Sequence, residues 1–483
     1  MTAALCRSWA RRGRSVAPFK AQNMSNHAAV TADGGEVGRA QAMQAMAAGA
    51  PLDRRMNPIL LKPNSMTGSH LVVMGDEVST TDAHRYGDTS RTLRPTVLDA
   101  LTSLRKDYQW IVGEGAGGAA EINLLDRDLV NLPLARAAGM PAIIVVDIDP
   151  GGAFASAYGT IMLLPPELRE PIAGVVFNKF RGDPSLLADG ITELEARTGV
   201  PVLGVLPHLG NHLALGVEDS LDITADVHHA ARSSTPVRVA AIRLPHLANP
   251  SDLDPFAIEP DVEFRWVTQP QELSNVDLVV IPGSRATVSD LAWLRAQGFA
   301  AKLDSVAADV IGVCAGYQML GRRINDDIES GAGSVDGLGL LEAETTFEHP
   351  KIVRTSTGTV LGLAGSPTAG DPTVAGYQIR FGRPRTRATS WLVIDGKPEG
   401  AVDLQRRVFG TSLHGLFDAD SFRSQLLVAV AQARGRQYQP ATTSFAIESD
   451  RYHDRLADWL EADLDTERLC DLASTATYPG PGW

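Results

Sequence analysis

Two residues are placed for covalent chemistry. Cys314 ends the apolar run VIGVC and is followed by Ala315, Gly316 and a helical stretch, within VIGVCAGYQMLG. A strand that turns into a helix on small residues projects a side chain outward at the elbow, and the helix-start amides and dipole favour a thiolate there. An ordinary thiol, with a pKa near 8.5, is mostly protonated at neutral pH, so a neighbouring base matters. His414 is the candidate base: it stands at the end of a strand-like run in VFGTSLHGLFD. A Cys or His taken alone is more often structural; two strand-end placements beside glycines reverse that balance. A third strand end, in VVIPGSRATVSDLAWLR, closes on Pro282, Gly283 and Ser284 ahead of a helix. The backbone amides of Gly283 and Ala315 are candidates for holding the oxyanion formed when a thiolate attacks a carboxamide.

The elements that must position these residues read as α/β, in two domains, each with a mainly parallel sheet flanked by helices. From residue 1 to 230 helical stretches alternate with the apolar strands SVAPF, WIVGEG, AIIVVDID, IAGVVFNKF and VPVLGVLP. Strands separated by helices imply crossover connections and a parallel sheet, with ligands at the strands' carboxyl ends. The polar, Pro-terminated segment His228–Pro236 reads as a linker. A second series, VRVAAIRL, VEFRWV, DLVVIPGS and VIGVC, opens a domain over 237–435, and 436–483 reads as a helical extension by its spacing of Leu, Ala and Trp. Thr355–Thr373 reads as a loop-rich excursion.

The segments around Pro282, Cys314 and His414 resemble the class I glutamine amidotransferase domain of cobyric acid synthases, whose hallmarks include PGS, a CxGYQMLG turn and GTxLHGxF. The resemblance implies glutamine hydrolysis through a Cys314 thioester, with a Cys–His dyad and no assigned third carboxylate. Two departures stand out. Ala315 replaces the usual Gly after the cysteine, and GYQIRFG replaces GYEIHxG, so that Gln378 and Arg380 stand where Glu and His are usual.

The N-terminal half resembles the same family through APFKAQNMSN, EVGRAQAMQA, MNPILLKP, GEGAGGAAEINL, DIDPGGAF, FNKFRGD and GVPVLGVLP. This implies a dethiobiotin synthetase-like ligase domain that activates carboxylates with ATP, amidating a corrinoid with ammonia from glutamine. Lys20, ending a strand, suits a phosphate or an anionic intermediate. Glu114 and Glu36 are candidate Mg2+ ligands, because this hard cation takes a few carboxylates plus phosphate oxygens. Asn178 and Lys179 resemble a nucleotide-base recognition pair. The family's glycine-rich GTxSxxGKS loop, expected just before MTAALCRSWARRG together with the first strand, has no GxxxxGKS counterpart in this sequence. The sequence as given lacks that strand, a central member of a parallel sheet. A start placed too far downstream is the favoured explanation, and a truncated, ligase-impaired homologue acting as a glutaminase or corrinoid-binding protein is the alternative. Pro150 stands where the family commonly has Arg.

Bulk composition bounds the alternatives. At 483 residues the chain exceeds one ordinary core. A net charge of -13 disfavours a broad nucleic-acid surface. Three distant cysteines form no disulfide framework or cysteine-rich zinc site, and a reducing cytoplasm is the simplest reading. No apolar run reaches the roughly 18 to 20 residues that cross a bilayer. The basic N-terminal stretch, with Arg7, Arg11, Arg12, Arg14 and Lys20, superficially suits a targeting peptide. The better reading is a helix stopped at Gly13 that feeds the strand SVAPF.

Overall fold

A computed structural model describes residues 1–63, 68–209, 235–362 and 373–475. Positions 228–234 of the expected linker and 363–372 of the expected excursion lie outside these residues. The chain divides into two compact units that are discontinuous in sequence: Met1–Ser25, Ala40–Leu213 and Asp450–Trp483 in the first, Asn26–Arg39 and Ala214–Ser449 in the second. A linear division near 230 and 436 therefore misses two exchanges, the short insert from Asn26 and the return of the chain's last helices.

In the first unit the helix Thr2–Arg11 leads through Gly13 into the strand Val16–Phe19, as the stop signal suggests. That strand pairs in parallel with Trp110–Gly113. Separately, Ala142–Asp147, Ile172–Phe180 and Val202–Pro207 form a parallel three-stranded sheet. Among the described residues no strand joins these two pieces. Val145, on the edge strand of the second piece, is 46% exposed. A further sheet in this unit, Gln22–Met24, Ile59–Pro63, Gly68–Val73 and Asp76–Asp82, is largely antiparallel.

The basic N-terminal helix docks on acids from the chain's end. Arg7 pairs with Asp454 at 2.8 Å, Arg11 with Asp458 at 2.7 Å, and Arg14 with Glu467 at 2.6 Å. These acids lie on the helices Phe445–Asp463 and Thr466–Thr475, and Trp459 donates to the Pro207 carbonyl at 3.0 Å. The stretch that looks like a targeting peptide thus has structural partners at every Arg named here.

The second unit is built on a six-stranded sheet in the order Val262–Val267, Val237–Ile242, Leu278–Ile281, Asp309–Val313, Val408–Thr411 and Ala401–Asp403. All neighbours are parallel except the last pair. Val237, Val239, Val280 and Ile311 bury one face, and Ala240, Val279, Ile281 and Val310 the other. Burial on both faces is why these strands read as near-continuous apolar runs.

A second sheet, not anticipated, centres on the long antiparallel pair Ala343–Val360 and Thr373–Thr386. Residues 355–360, read as loop, belong to its first strand, where Gly and Thr alternate against a partner. The insert Asn26–Arg39 is a hairpin of Ala28–Val30 against Glu36–Gly38, turned at Gly34 with φ 85. It is tied to its unit by the Ala28 amide on Asn249 Oδ1 at 3.0 Å and by a buried Glu36–Lys351 ion pair at 2.7 Å.

Candidate functional site

The strand Asp309–Val313 stops at Cys314, which takes φ 52 and ψ -108 before the helix Ala315–Leu320 begins. A non-glycine residue held there stores about 1–3 kcal/mol of strain, which persists only where the surroundings enforce it. Enforcement comes from close backbone packing: a Cβ on Gly316 would stand 1.9 Å from the Ile281 carbonyl oxygen, and one on Gly312 would lie 2.6 Å from the Tyr317 nitrogen. Ala315, by contrast, is accommodated in the first helical turn, so its methyl leaves the elbow intact.

His414 follows the strand Val408–Thr411 and is 2% exposed. It lies within electrostatic reach of Cys314. Its Nδ1 lies 2.7 Å from Asp252 Oδ2, while Asp252 Oδ1 accepts from the Gly415 amide at 3.0 Å. The Tyr377 ring stacks on the imidazole at 5.1 Å, and the two backbones exchange hydrogen bonds. Burial works to lower the His414 pKa, but Asp252 and the ionised form of Cys314 together lift it to about 10. The Nδ1 partner fixes the ring so that Nε2 faces the reacting side.

Gly283 lies against the same imidazole: a Cβ there would stand 3.1 Å from His414 Cε1 and 3.2 Å from the Ala248 oxygen. The turn that carries it is held by Asp290, which accepts from Ser284 Oγ at 2.6 Å and meets His246 Nδ1 at 2.7 Å. Cys314, His414, Gly283 and Ala315 are thus brought together. Around them Gln318 Oε1, Tyr377 Oη and Ser412 Oγ are buried without a hydrogen-bond partner among the described residues.

Asp252 was not visible in the sequence. It lies 162 positions before His414, in the turn Pro250–Ile258. Asn249-Pro250, just upstream of it, is a turn-initiation signal that marks the place but not the partner. Arg39, from the hairpin insert, is a second unanticipated member. Its guanidinium is buried, and although burial opposes the charge, Tyr377, Asp418, Asp254 and Asp252 raise its pKa.

In the first unit Lys20 and Glu114 follow neighbouring strand ends, since Phe19 registers with Gly113. Lys20 Nζ lies 2.7 Å from Glu114 Oε1, and Gln44 donates to the other carboxylate oxygen. Asn178 registers with Asp147, and Lys179, at φ 65, reaches Asp147 Oδ2 at 2.6 Å. That hydrogen bond, against slight burial, lowers the Asp147 pKa. Glu36, expected as a metal ligand with Glu114, instead belongs to the second unit, where its carboxylate is buried on Lys351. Among the described residues no three His, Cys, Asp or Glu side chains gather as a metal cluster.

A strained cysteine elbow with a carboxylate-backed histidine on a parallel sheet defines the amidotransferase type of α/β unit, and comparison with known proteins agrees. Residues 238–422 match the CobB/CobQ-like glutamine amidotransferase domain, and residues 1–212 match the CobQ/CobB/MinD/ParA nucleotide binding domain. The chain is 46% identical to a cobyric acid synthase of Mycolicibacterium paratuberculosis, over 98% of this chain and 93% of that protein. It is 46% identical to one from Rhodococcus jostii, over 99% and 94%, and 45% identical to one from Frankia casuarinae, over 99% and 95%. The chain belongs to the cobyric acid synthase family.

Proposed function

We propose that the second unit hydrolyses glutamine at Cys314 and that the first spends ATP to amidate a corrinoid with the ammonia. The substrate reading is adenosylcobyrinic acid a,c-diamide, amidated at its b, d, e and g carboxylates to give adenosylcobyric acid, as the names of the relatives suggest. The observation that carries the proposal is the contact series Cys314–His414–Asp252, closed by a 2.7 Å Nδ1–carboxylate bond.

The Cys314 sulfur attacks the carboxamide carbon of glutamine, and the oxyanion is received by the amides of Gly283 and Ala315. His414, charged and held by Asp252, gives its proton to the departing nitrogen, so that ammonia leaves and a γ-glutamyl thioester remains. Neutral His414 then takes a proton from water, which displaces the thiolate and releases glutamate. Tyr377, stacked on the ring, excludes solvent from one imidazole face.

In the first unit the ATP phosphates are assigned to the strand ends that carry Lys20 and Glu114, and the base to Asn178 and Lys179. Glu114 suits Mg2+ as a part-exposed hard oxygen donor beside a phosphate-binding lysine. When bound, that ion would neutralise phosphate charge; Lys20 would exchange its Glu114 partner for phosphate oxygens. Such a soluble biosynthetic chemistry fits the cytoplasm. The test is ammonia release from glutamine by the full chain: Cys314→Ala is expected to abolish it, and activity surviving that change would remove the nucleophile assignment.

A further inference from the structure

The strand Thr373–Thr386 passes directly over the thiol, with Cys314 Sγ 3.8 Å from the Ile379 carbonyl oxygen. The next residue is Arg380, close enough to Cys314 and Glu399 to feel both charges. Its Nε and Nη2 donate to Gln378 Oε1 at 3.1 and 2.8 Å, and Nη1 donates to the Gly382 carbonyl. A guanidinium has five N–H donors, so these bonds fix its plane and leave one N–H on each terminal nitrogen. Two such hydrogens match a carboxylate.

Both partners are neutral, and among the described residues Arg380 forms no ion pair. The acid within range, Glu399, is already engaged by Thr411 Oγ1 at 2.6 Å and the Ser412 amide at 2.8 Å. Where Glu would neutralise the cation, this chain has Gln378, itself held by Ser356 Oγ at 3.1 Å. A half-buried cation without a counter-ion costs free energy that an anionic ligand would offset. Glutamine brings one: with its carboxamide at Cys314, its α-carboxylate lies four C–C bonds away, about 5 Å.

We propose that Arg380 binds the α-carboxylate of the substrate glutamine, and so selects a free amino acid over other primary amides. This rests on Cys314 being the nucleophile. The test compares L-glutamine with 4-aminobutanamide, which keeps the amine and carboxamide but lacks the carboxylate. In Arg380→Gln, KM for glutamine is expected to rise about 10- to 100-fold with kcat nearly kept, while 4-aminobutanamide turnover is unchanged. Arg380→Lys should recover part of the loss. Gln378→Glu, which supplies an internal carboxylate without removing the arginine, should raise KM in the same sense. Equal losses for both substrates in Arg380→Gln, or an unchanged preference, would overturn the proposal. Calorimetric binding of the two compounds to Cys314→Ala protein, with and without Arg380→Gln, reads the same preference without turnover. Failure of the nucleophile assignment would appear instead as ammonia release surviving Cys314→Ala.

Discussion

The two units treat their charged residues in opposite ways. Around Cys314 the candidate reactive groups are buried, each is oriented by a further residue, and several polar atoms are buried without partners among the described residues. At the strand ends of the first unit, Lys20 with Glu114 and Lys179 with Asp147 satisfy one another, and the second pair is nearly half exposed. The contrast follows from the chemistry each fold type serves. Thioester formation needs a nucleophile, a proton carrier and an orienting carboxylate, all side chains fixed by packing. Phosphate is held mainly by the amides of a glycine-rich loop at a helix start, and this sequence contains no such GxxxxGKS element. The residues expected to act in the second unit are thus buried and mutually oriented, and those expected to bind nucleotide in the first are held in pairs with one another.

Substitutions should separate these sites sharply. Cys314→Ala is expected to lower glutamine hydrolysis by more than about a thousandfold, read as ammonia release, with the fold retained by circular dichroism. Asp252→Asn should follow, with kcat reduced about 10²- to 10⁴-fold and KM little changed, since the wrong imidazole tautomer becomes favoured. A KM effect without a kcat effect would mean that Asp252 acts on binding instead. Glu114→Gln should lower corrinoid-dependent ATP turnover by about tenfold or more while leaving glutaminase kcat within about twofold. Equal damage to both activities would erase the contrast between the units.

The pH dependence sharpens it further. The folded His414 pKa of about 10 lies above its ordinary 6.5, so the imidazolium is favoured in the folded protein. Its contribution to stability is fully present below the unfolded value and is lost as pH rises through about 10. Ammonia release that depends on this proton should hold through neutral pH and fall on the alkaline side. In Asp252→Asn that fall should move to lower pH. An alkaline limb that stays in place would break the link between carboxylate and imidazole. The smallest effect belongs to the N-terminal helix: Arg11→Ala removes part-exposed pairs and should cost about 1 kcal/mol or less in urea unfolding.

Cys314, His414 and the Gly283 turn were legible because each ends an apolar strand of one parallel sheet, where local pattern and position in the fold coincide. Asp252 was hidden because its partner is 162 residues away and only folding brings the two together. The hairpin Asn26–Arg39 could have been suspected from Asp33-Gly34-Gly35 between short apolar runs. Its membership of the second unit could not, since that depends on the Glu36–Lys351 and Ala28–Asn249 contacts. The same distance effect hid the partner of Glu36, whose carboxylate lies on Lys351. The long antiparallel strands were obscured by their Thr, Ser and Gly content, which locally resembles loop.

Active-site labelling tests the central claim most directly. Incubation with 6-diazo-5-oxo-L-norleucine, followed by intact-mass and peptide analysis, should give one adduct at Cys314 together with loss of ammonia release, and labelling should be slowed in Asp252→Asn. Stoichiometric labelling at Cys6 or Cys470, or undiminished glutamine hydrolysis by protein labelled at Cys314, would contradict the assignment.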